Sequence, residues 1–259
     1  MNMDSELQYA DSTMEIRGLE LRVLDTDPGA LGPTRTFVLV HGLGVSSLYF
    51  RELADDLASH GRVIAIDLPG FGRTDKPERS LRIGQLAGVL AEALQRLDPD
   101  GVVLVGHSMG CQVVVEALAD DPGIADAAVL IGPVVNAAER RLPSLLWRFL
   151  QAVLRETPAS VAPSILGWLR TGPRMLIETV PTMLAYPLED RIADVAVPLL
   201  LVAGRKDATA PRAWLDRLAC AAGGEAFVEV VEDASHQVMV THPGRVTAAI
   251  VGPAPGDRR

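Results

Sequence analysis

The run Val102-Val103-Leu104-Val105-Gly106-His107-Ser108-Met109-Gly110 carries four aliphatic residues straight into a G-x-S-x-G pentapeptide, and an apolar helical pattern reaching Ala119 follows at once. The aliphatic run predicts a strand buried on both faces. A turn from strand directly into helix, with serine at its apex, demands backbone angles most residues avoid. The flanking glycines remove side chains that would collide there. Such a turn presents the hydroxyl at a helix N-terminus, where free N–H groups and the helix dipole favour developing negative charge. Ser108 is therefore read as a nucleophile.

Outward from this turn the same rhythm repeats. Short Val/Leu/Ile-rich runs occur at Phe37–Val40, Val63–Ile66, Ala128–Ile131, Leu199–Val202 and Phe227–Val231. Helical patterns lie between them at Ser46–Ser59, Ser80–Leu97, Ser108–Ala119, Pro211–Ala221 and Pro243–Val251. Strand–helix alternation with continuously apolar strands predicts an α/β fold, a parallel sheet covered by helices on both faces. Met14–Arg17 and Glu20–Thr26, parted by Gly18, predict an antiparallel hairpin ahead of it. One interval breaks the rhythm. From Pro133 to Pro198 no strand pattern occurs, while apolar residues recur at helical spacing between Pro143, Pro158, Pro163, Pro173, Pro181 and Pro187. So long a loop without structure would be unusual. The expected organisation is therefore a core of residues 1–132 and 198–259 with a helical cap, 133–197, inserted as several short helices divided by prolines. Residues 252–259 read as a frayed tail.

A serine hydroxyl needs a base, and the base needs an orienting acid. Of five histidines, His236 lies in the polar loop directly after the run ending at Val231, hence at the same sheet edge as Ser108. His242 precedes Pro243 at a helix start and reads as a cap or surface residue. Asp207 follows the run Leu199–Val202 in a loop closed by Pro211, where a carboxylate would reach the far nitrogen of His236. The loop after Ile131 offers no carboxylate, and Asp233 stands too near His236 in sequence to be preferred. Donors for an oxyanion are expected from the backbone N–H of Met109 and of Leu43, the latter within His41-Gly42-Leu43-Gly44 after another strand. Trp147 and Trp168 in the cap are candidate pocket walls, although packing alone would also account for them.

The order Ser108, Asp207, His236, with the upstream H-G-L-G, resembles the α/β-hydrolase family, specifically a serine-nucleophile, esterase-like member. Residues 67–77 (DLPGFGRTDKP) are similar to that family's D-x-P-G-x-G-x-S-x-x-P loop, with Thr74 where serine is usual. The resemblance extends from Glu15 to Val251. It implies an eight-stranded, mostly parallel sheet with an antiparallel second strand, and a cap inserted after the sixth strand. Members of the family resembling epoxide hydrolases and haloalkane dehalogenases carry aspartate at the nucleophile turn, so serine implies acyl transfer instead. The expected activity is that of a carboxylesterase, extending to lactones and thioesters. The alternatives are a carbon–carbon bond hydrolase, a cofactor-free perhydrolase, or a ligand-binding protein on the same fold.

The rest of the composition narrows the partners. The 259 residues carry a formal charge of −9, which argues against nucleic acid or an anionic membrane as the main partner and leaves a small-molecule substrate. Two cysteines, Cys111 and Cys220, make neither a disulfide framework nor a four-ligand zinc site. Walker A, Rossmann and H-E-x-x-H motifs are missing, so no cofactor and no metal are expected. The first fifteen residues lack a signal-peptide pattern, and no apolar run is long enough to span a bilayer, so a cytoplasmic protein is expected. The cap's apolar, aromatic-poor residues suggest a pocket for aliphatic or other uncharged groups. Its arginines read as a solvated face. Nothing in the sequence sets an oligomeric state.

Overall fold

The computed structural model describes residues 9–26 and 35–252. Beyond Gly252 the expected tail lies outside the described residues. Eight strands form one sheet: β1 (Ala10–Ile16), β2 (Leu19–Asp25), β3 (Thr36–Val40), β4 (Arg62–Asp67), β5 (Val102–His107), β6 (Ala127–Ile131), β7 (Leu199–Gly204) and β8 (Ala226–Val231). Their spatial order is β1-β2-β4-β3-β5-β6-β7-β8. β2 runs antiparallel to both its neighbours, and every pairing from β4 to β8 is parallel. The β1–β2 hairpin turns on Arg17 and Gly18, both at positive φ (55° and 72°), the mirror-image turn whose twist suits a two-residue hairpin.

The sequence alternation resolves into two apolar layers. Val38, Val40, Ile64, Ile66, Leu104 and Leu130 point to one side of the sheet. There they pack with α2 (Ile83–Leu97), α3 (Met109–Asp120) and α7 (Arg212–Ala221). Phe37, Leu39, Val63, Val105, Val129 and Val202 point to the other side. They meet α1 (Arg51–Leu57) and the C-terminal pair α8 (Val238–Thr241) and α9 (Pro243–Val251). Each such side chain, fully buried, contributes about 1.5–3 kcal/mol of transfer free energy. Truncating one central residue such as Leu104, which is fully buried, to alanine costs about 2–5 kcal/mol. That double-sided burial keeps the parallel strands rigid, so the loops leaving their C-terminal edge are held in fixed positions.

Between β6 and β7 lie a 3₁₀ turn (Ala137–Glu139), α4 (Leu142–Val153), α5 (Pro158–Ala185), α6 (Leu188–Arg191) and a second 3₁₀ turn (Ile192–Asp194). Helices were expected here, but the prolines divide them less than expected. Pro143 and Pro158 stand in the first turn of α4 and α5, where the missing N–H costs nothing. Pro163 and Pro181 are instead carried inside α5, whose one break is at Gly172 (φ 78°, ψ 160°), directly before Pro173. An interior proline forfeits one backbone hydrogen bond and bends the helix. The buried packing of Ser164, Met175, Thr179 and Met183 holds α5 together across those positions. Leu188, Ile192 and Val195 are fully buried in the same apolar layer as α3 and α7. Among the described residues no helix is long and apolar enough to cross a membrane.

Candidate active site

β5 delivers Ser108 at φ 56° and ψ −117°, a conformation non-glycine residues rarely hold. Strain of about 1–3 kcal/mol is the usual cost of such a residue. The turn closes only because its glycines are bare. A Cβ on Gly106 would stand 2.6 Å from Gly110 O, and one on Gly110 would stand 2.1 Å from Val40 O. The Ser108 N–H is fixed on Ile131 O at 2.9 Å. Met109 is the first residue of α3, so its N–H has no acceptor within the helix.

His236 and Asp207, from the loops after β8 and β7, meet with Nδ1 and Oδ2 2.8 Å apart. The other carboxylate oxygen, Oδ1, accepts from Thr209 N (2.8 Å), Thr209 Oγ1 (2.7 Å) and Ala210 N (3.2 Å). Burial pushes the Asp207 pKa upward, but the neighbouring His236 charge and the Thr209 hydrogen bonds outweigh it, so the carboxyl titrates below its ordinary range. Burial likewise pulls His236 down. The charge and hydrogen bond of Asp207, helped by Glu156, prevail and hold the imidazole above its ordinary 6.5. Gly132, after β6, leaves the space this pair needs, since a Cβ there would lie 3.0 Å from His236 Nδ1. The other acid and bases lie elsewhere. Asp233 is exposed beside Lys206, and His242 caps α9. His41 accepts the Leu68 N–H at 3.0 Å and so braces the loop after β4.

The His41–Gly44 loop packs directly against the serine, with Gly42 so close that a Cβ would be 3.1 Å from Ser108 Cβ. Gly42 N donates to Tyr49 Oη at 3.1 Å, and Tyr49 Oη stands 2.6 Å from His107 Nδ1. Burial keeps Tyr49 protonated, and burial together with the nearby His236 keeps His107 neutral. The tyrosine therefore donates to Nδ1, and His107 Nε2–H donates to the carbonyl of His236 at 3.1 Å. One hydrogen-bonded chain thus joins the glycine loop, the residue before Ser108 and the backbone of His236. The loop at residues 67–77 sits beside it. Thr74 Oγ1 donates to Phe71 O at 2.7 Å and accepts from Gly70 N at 3.0 Å, so threonine in place of serine keeps the closing hydroxyl.

Ser108, His236, Leu43 and Tyr49 open into a single cavity of about 280 Å³. Its roof comes from α4 and α5: Leu145, Leu146, Phe149, Val161, Leu176 and Met183 are all apolar. Of the two tryptophans, Trp168 lines the cavity and donates Nε1–H to Leu43 O at 3.3 Å. Trp147 is not among the lining residues and stands 58% exposed on the outside of α4. Four further residues were not foreseen: Tyr49, Thr209, Glu156 and Gln237. Only Thr209 had a readable signal, an Asx turn two residues after Asp207. Glu156 Oε1 accepts the Gln237 N–H at 2.8 Å, which ties the α4–α5 turn to the His236 loop. Among the described residues no cluster of three His, Cys, Asp or Glu side chains is placed to share a metal ion. A serine on a strained turn and an imidazole paired with a carboxylate, beside a largely apolar cavity, can together support attack on a carbonyl.

The sequence model described as the Alpha/beta hydrolase family matches residues 37–250. The chain is 25% identical over 241 residues to pimeloyl-[acyl-carrier protein] methyl ester esterase of Pseudoalteromonas atlantica, covering 82% of this chain and 91% of that one. It is 31% identical over 152 residues to 2-hydroxy-6-oxo-6-(2'-aminophenyl)hexa-2,4-dienoic acid hydrolase of Metapseudomonas resinovorans, covering 56% and 51% of the two chains. Alignments to the first curated relatives take in 37% and 36% of those proteins, so the chain spans about a third of their length. Among solved structures, a thermophilic esterase from Thermogutta terrifontis superposes with a TM-score of 0.72 at 22% identity, over 94% of this chain and 96% of that one.

Proposed function

The chain belongs to the alpha/beta hydrolase family, and on that premise we propose that it hydrolyses carboxylic esters of small, largely apolar molecules through an acyl-enzyme at Ser108. In this reading His236 Nε2 takes the Ser108 proton as Oγ attacks the ester carbonyl. The N–H groups of Met109 and Leu43 receive the oxyanion, and Asp207 holds the imidazole with its proton on Nδ1. The tetrahedral intermediate collapses as the imidazolium gives its proton to the departing alcohol. His236 then draws a proton from water, whose oxygen attacks the acyl carbonyl, and collapse returns that proton to Ser108 while releasing the acid. Lactones and thioesters fit the same sequence of steps. Residues 133–197 are proposed to act as the lid over this chemistry, with the remaining chain as the body.

The observation that carries the proposal is the 2.8 Å pairing of Asp207 with His236, which lines the same cavity as the strained Ser108. Among the described residues the cavity is lined by no lysine or arginine, and its one acidic wall residue is Glu156. That favours an uncharged ester over the acid named for the Metapseudomonas relative, and ranks carbon–carbon cleavage second. The test is hydrolysis of p-nitrophenyl esters of increasing acyl length by wild type and Ser108→Ala. Turnover that falls to the buffer rate in the variant is expected. No turnover at any length by folded wild type would overturn the esterase reading.

A further inference from the structure

Eleven large apolar side chains are exposed among the described residues, and all but Leu48 lie between Leu142 and Ile177. On α4 they include Leu146, Trp147 and Leu150, with Leu154 directly after its last residue; on α5 they include Leu166 and Leu169. Isolated exposed leucines are ordinary, but a concentration of this kind on two adjoining helices marks an interaction surface. The helices are joined by the Phe149–Trp168 ring contact, with centroids 5.2 Å apart. On α4 the apolar arc is wider than the cavity requires. Leu145, Ala152 and Val153 face the cavity, Leu146 and Phe149 serve both sides, and Leu150 and Leu154 face outward only.

The charge of this segment opposes that of the chain. Residues 140–177 hold six arginines and one acid, Glu156, in a protein of net charge −9. Glu156 lines the cavity and directs its carboxylate to Gln237 N and Ser160 Oγ rather than to any of these arginines, so the segment keeps a positive excess. Arg140 is paired with Glu189. Arg155 and Arg174 give their donors to the carbonyl oxygens of Lys206, Pro77 and Glu78, so their charge stays uncompensated by any carboxylate there. Arg141 and Arg170 are exposed at the margins of the apolar residues. Apolar side chains rimmed by arginine are the make-up of a helix lying in a membrane interface. A second copy of the chain fits this face poorly, because a two-fold contact would bring the same arginines against one another.

We propose that the outer face of α4 and the first half of α5 docks on an anionic lipid surface, its leucines entering the acyl boundary and its arginines meeting the headgroups. The chain's overall negative charge is an average that conceals this locally basic face. Leu146 and Phe149 belong to both the face and the cavity wall, so docking sets the roof of the cavity against the lipid. Delivery of a lipid-borne ester to Ser108 rests on the function proposed above, whereas docking itself does not.

The experiment is flotation of the full chain carrying Ser108→Ala with vesicles of phosphatidylcholine alone and of equimolar phosphatidylcholine and phosphatidylglycerol, with size measured in parallel. Binding to the anionic vesicles, weakened by salt, is expected. Leu154→Gln with Leu169→Gln should abolish it, and Arg141→Gln with Arg170→Gln should weaken it about thirtyfold. These side chains lie outside the cavity, so ester hydrolysis in free solution should be unchanged. No binding to anionic vesicles, or binding that the leucine pair leaves intact, overturns the proposal. A dimer that the leucine pair dissociates, without vesicle binding, overturns it in favour of a second copy. Vesicle binding by a protein that hydrolyses no ester would sustain the docking surface while refuting the proposed activity.

Discussion

Replacing Asp207 by asparagine removes one charge without changing volume, and the surroundings dictate which way the new amide lies. The Oδ1 position faces three donors, Thr209 N, Thr209 Oγ1 and Ala210 N, at 2.7–3.2 Å. Only an oxygen can satisfy them, so the NH₂ group must take the Oδ2 position, 2.8 Å from His236 Nδ1. An NH₂ there donates to Nδ1 and drives the imidazole proton to Nε2, the nitrogen required to accept from Ser108. The base is then present in the wrong tautomer, a fault that costs about 10,000-fold in kcat where the same exchange is made in a serine protease. In p-nitrophenyl butyrate hydrolysis at neutral pH, kcat should fall by about three to four orders of magnitude while KM changes little. The acid limb should move as well. Protonated His236 cannot act as a base, so wild-type activity is lost as pH falls through a pKa held above 6.5. Without the Asp207 charge, burial dominates and the midpoint of any residual activity should drop below that value. A folded Asp207→Asn protein within about tenfold of wild type, or one with an unshifted acid limb, would refute the assigned roles.

Gly110→Ala should destabilise the protein by more than about 2 kcal/mol in urea unfolding, because its Cβ would lie 2.1 Å from Val40 O and the sheet cannot yield. A change below 0.5 kcal/mol, the range of a neutral surface substitution, would show that α3 and β3 can part. Tyr49→Phe leaves Gly42 N–H and His107 Nδ1 without their shared hydroxyl. It should cost about 1–3 kcal/mol by the same measurement and lower kcat, with an unchanged kcat showing that the glycine loop holds itself. Thiol titration of native protein should find Cys220, which is exposed, and miss Cys111, which is fully buried and whose thiol burial pushes far up. Reaction of both before unfolding would contradict the packing of α3.

The sheet was legible because its strands are apolar on both faces, a pattern only a doubly covered parallel sheet satisfies. Strand runs read at Val102–Val105 and Leu199–Val202 became β5 and β7, each longer by two residues at its C-terminal end. The strands continue through Gly106-His107 and Ala203-Gly204, residues whose composition gives no strand signal. Ser108, Asp207 and His236 were readable because each follows a strand, and chain order then puts all three loops on one edge. The helices between β6 and β7 were harder to divide. Proline marks where a helix is costly, but not where packing outweighs the cost, and the break fell on Gly172 rather than on Pro163 or Pro181. Trp147 and Trp168 could not be told apart either, since helical spacing does not say which arc of a doubly apolar helix turns inward. Tyr49 and Glu156 act through contacts 58 and 81 residues distant in the chain, for which a single sequence carries no trace.

The α4–α5 turn is stitched to both flanks of His236. Ser235 Oγ donates to Arg155 O and Gln237 N donates to Glu156 Oε1, each at 2.8 Å. The roof therefore cannot be raised there without pulling on the loop that carries the imidazole, and the two behave as an interlock. On the proposed mechanism, a guest that fits beneath the roof would leave His236 where the base is needed. One that props the roof open would still be held by the apolar walls, yet would draw His236 out of line. Selection by length would then show itself as slow turnover of tightly held molecules rather than as their exclusion, so oversized guests would behave as inhibitors.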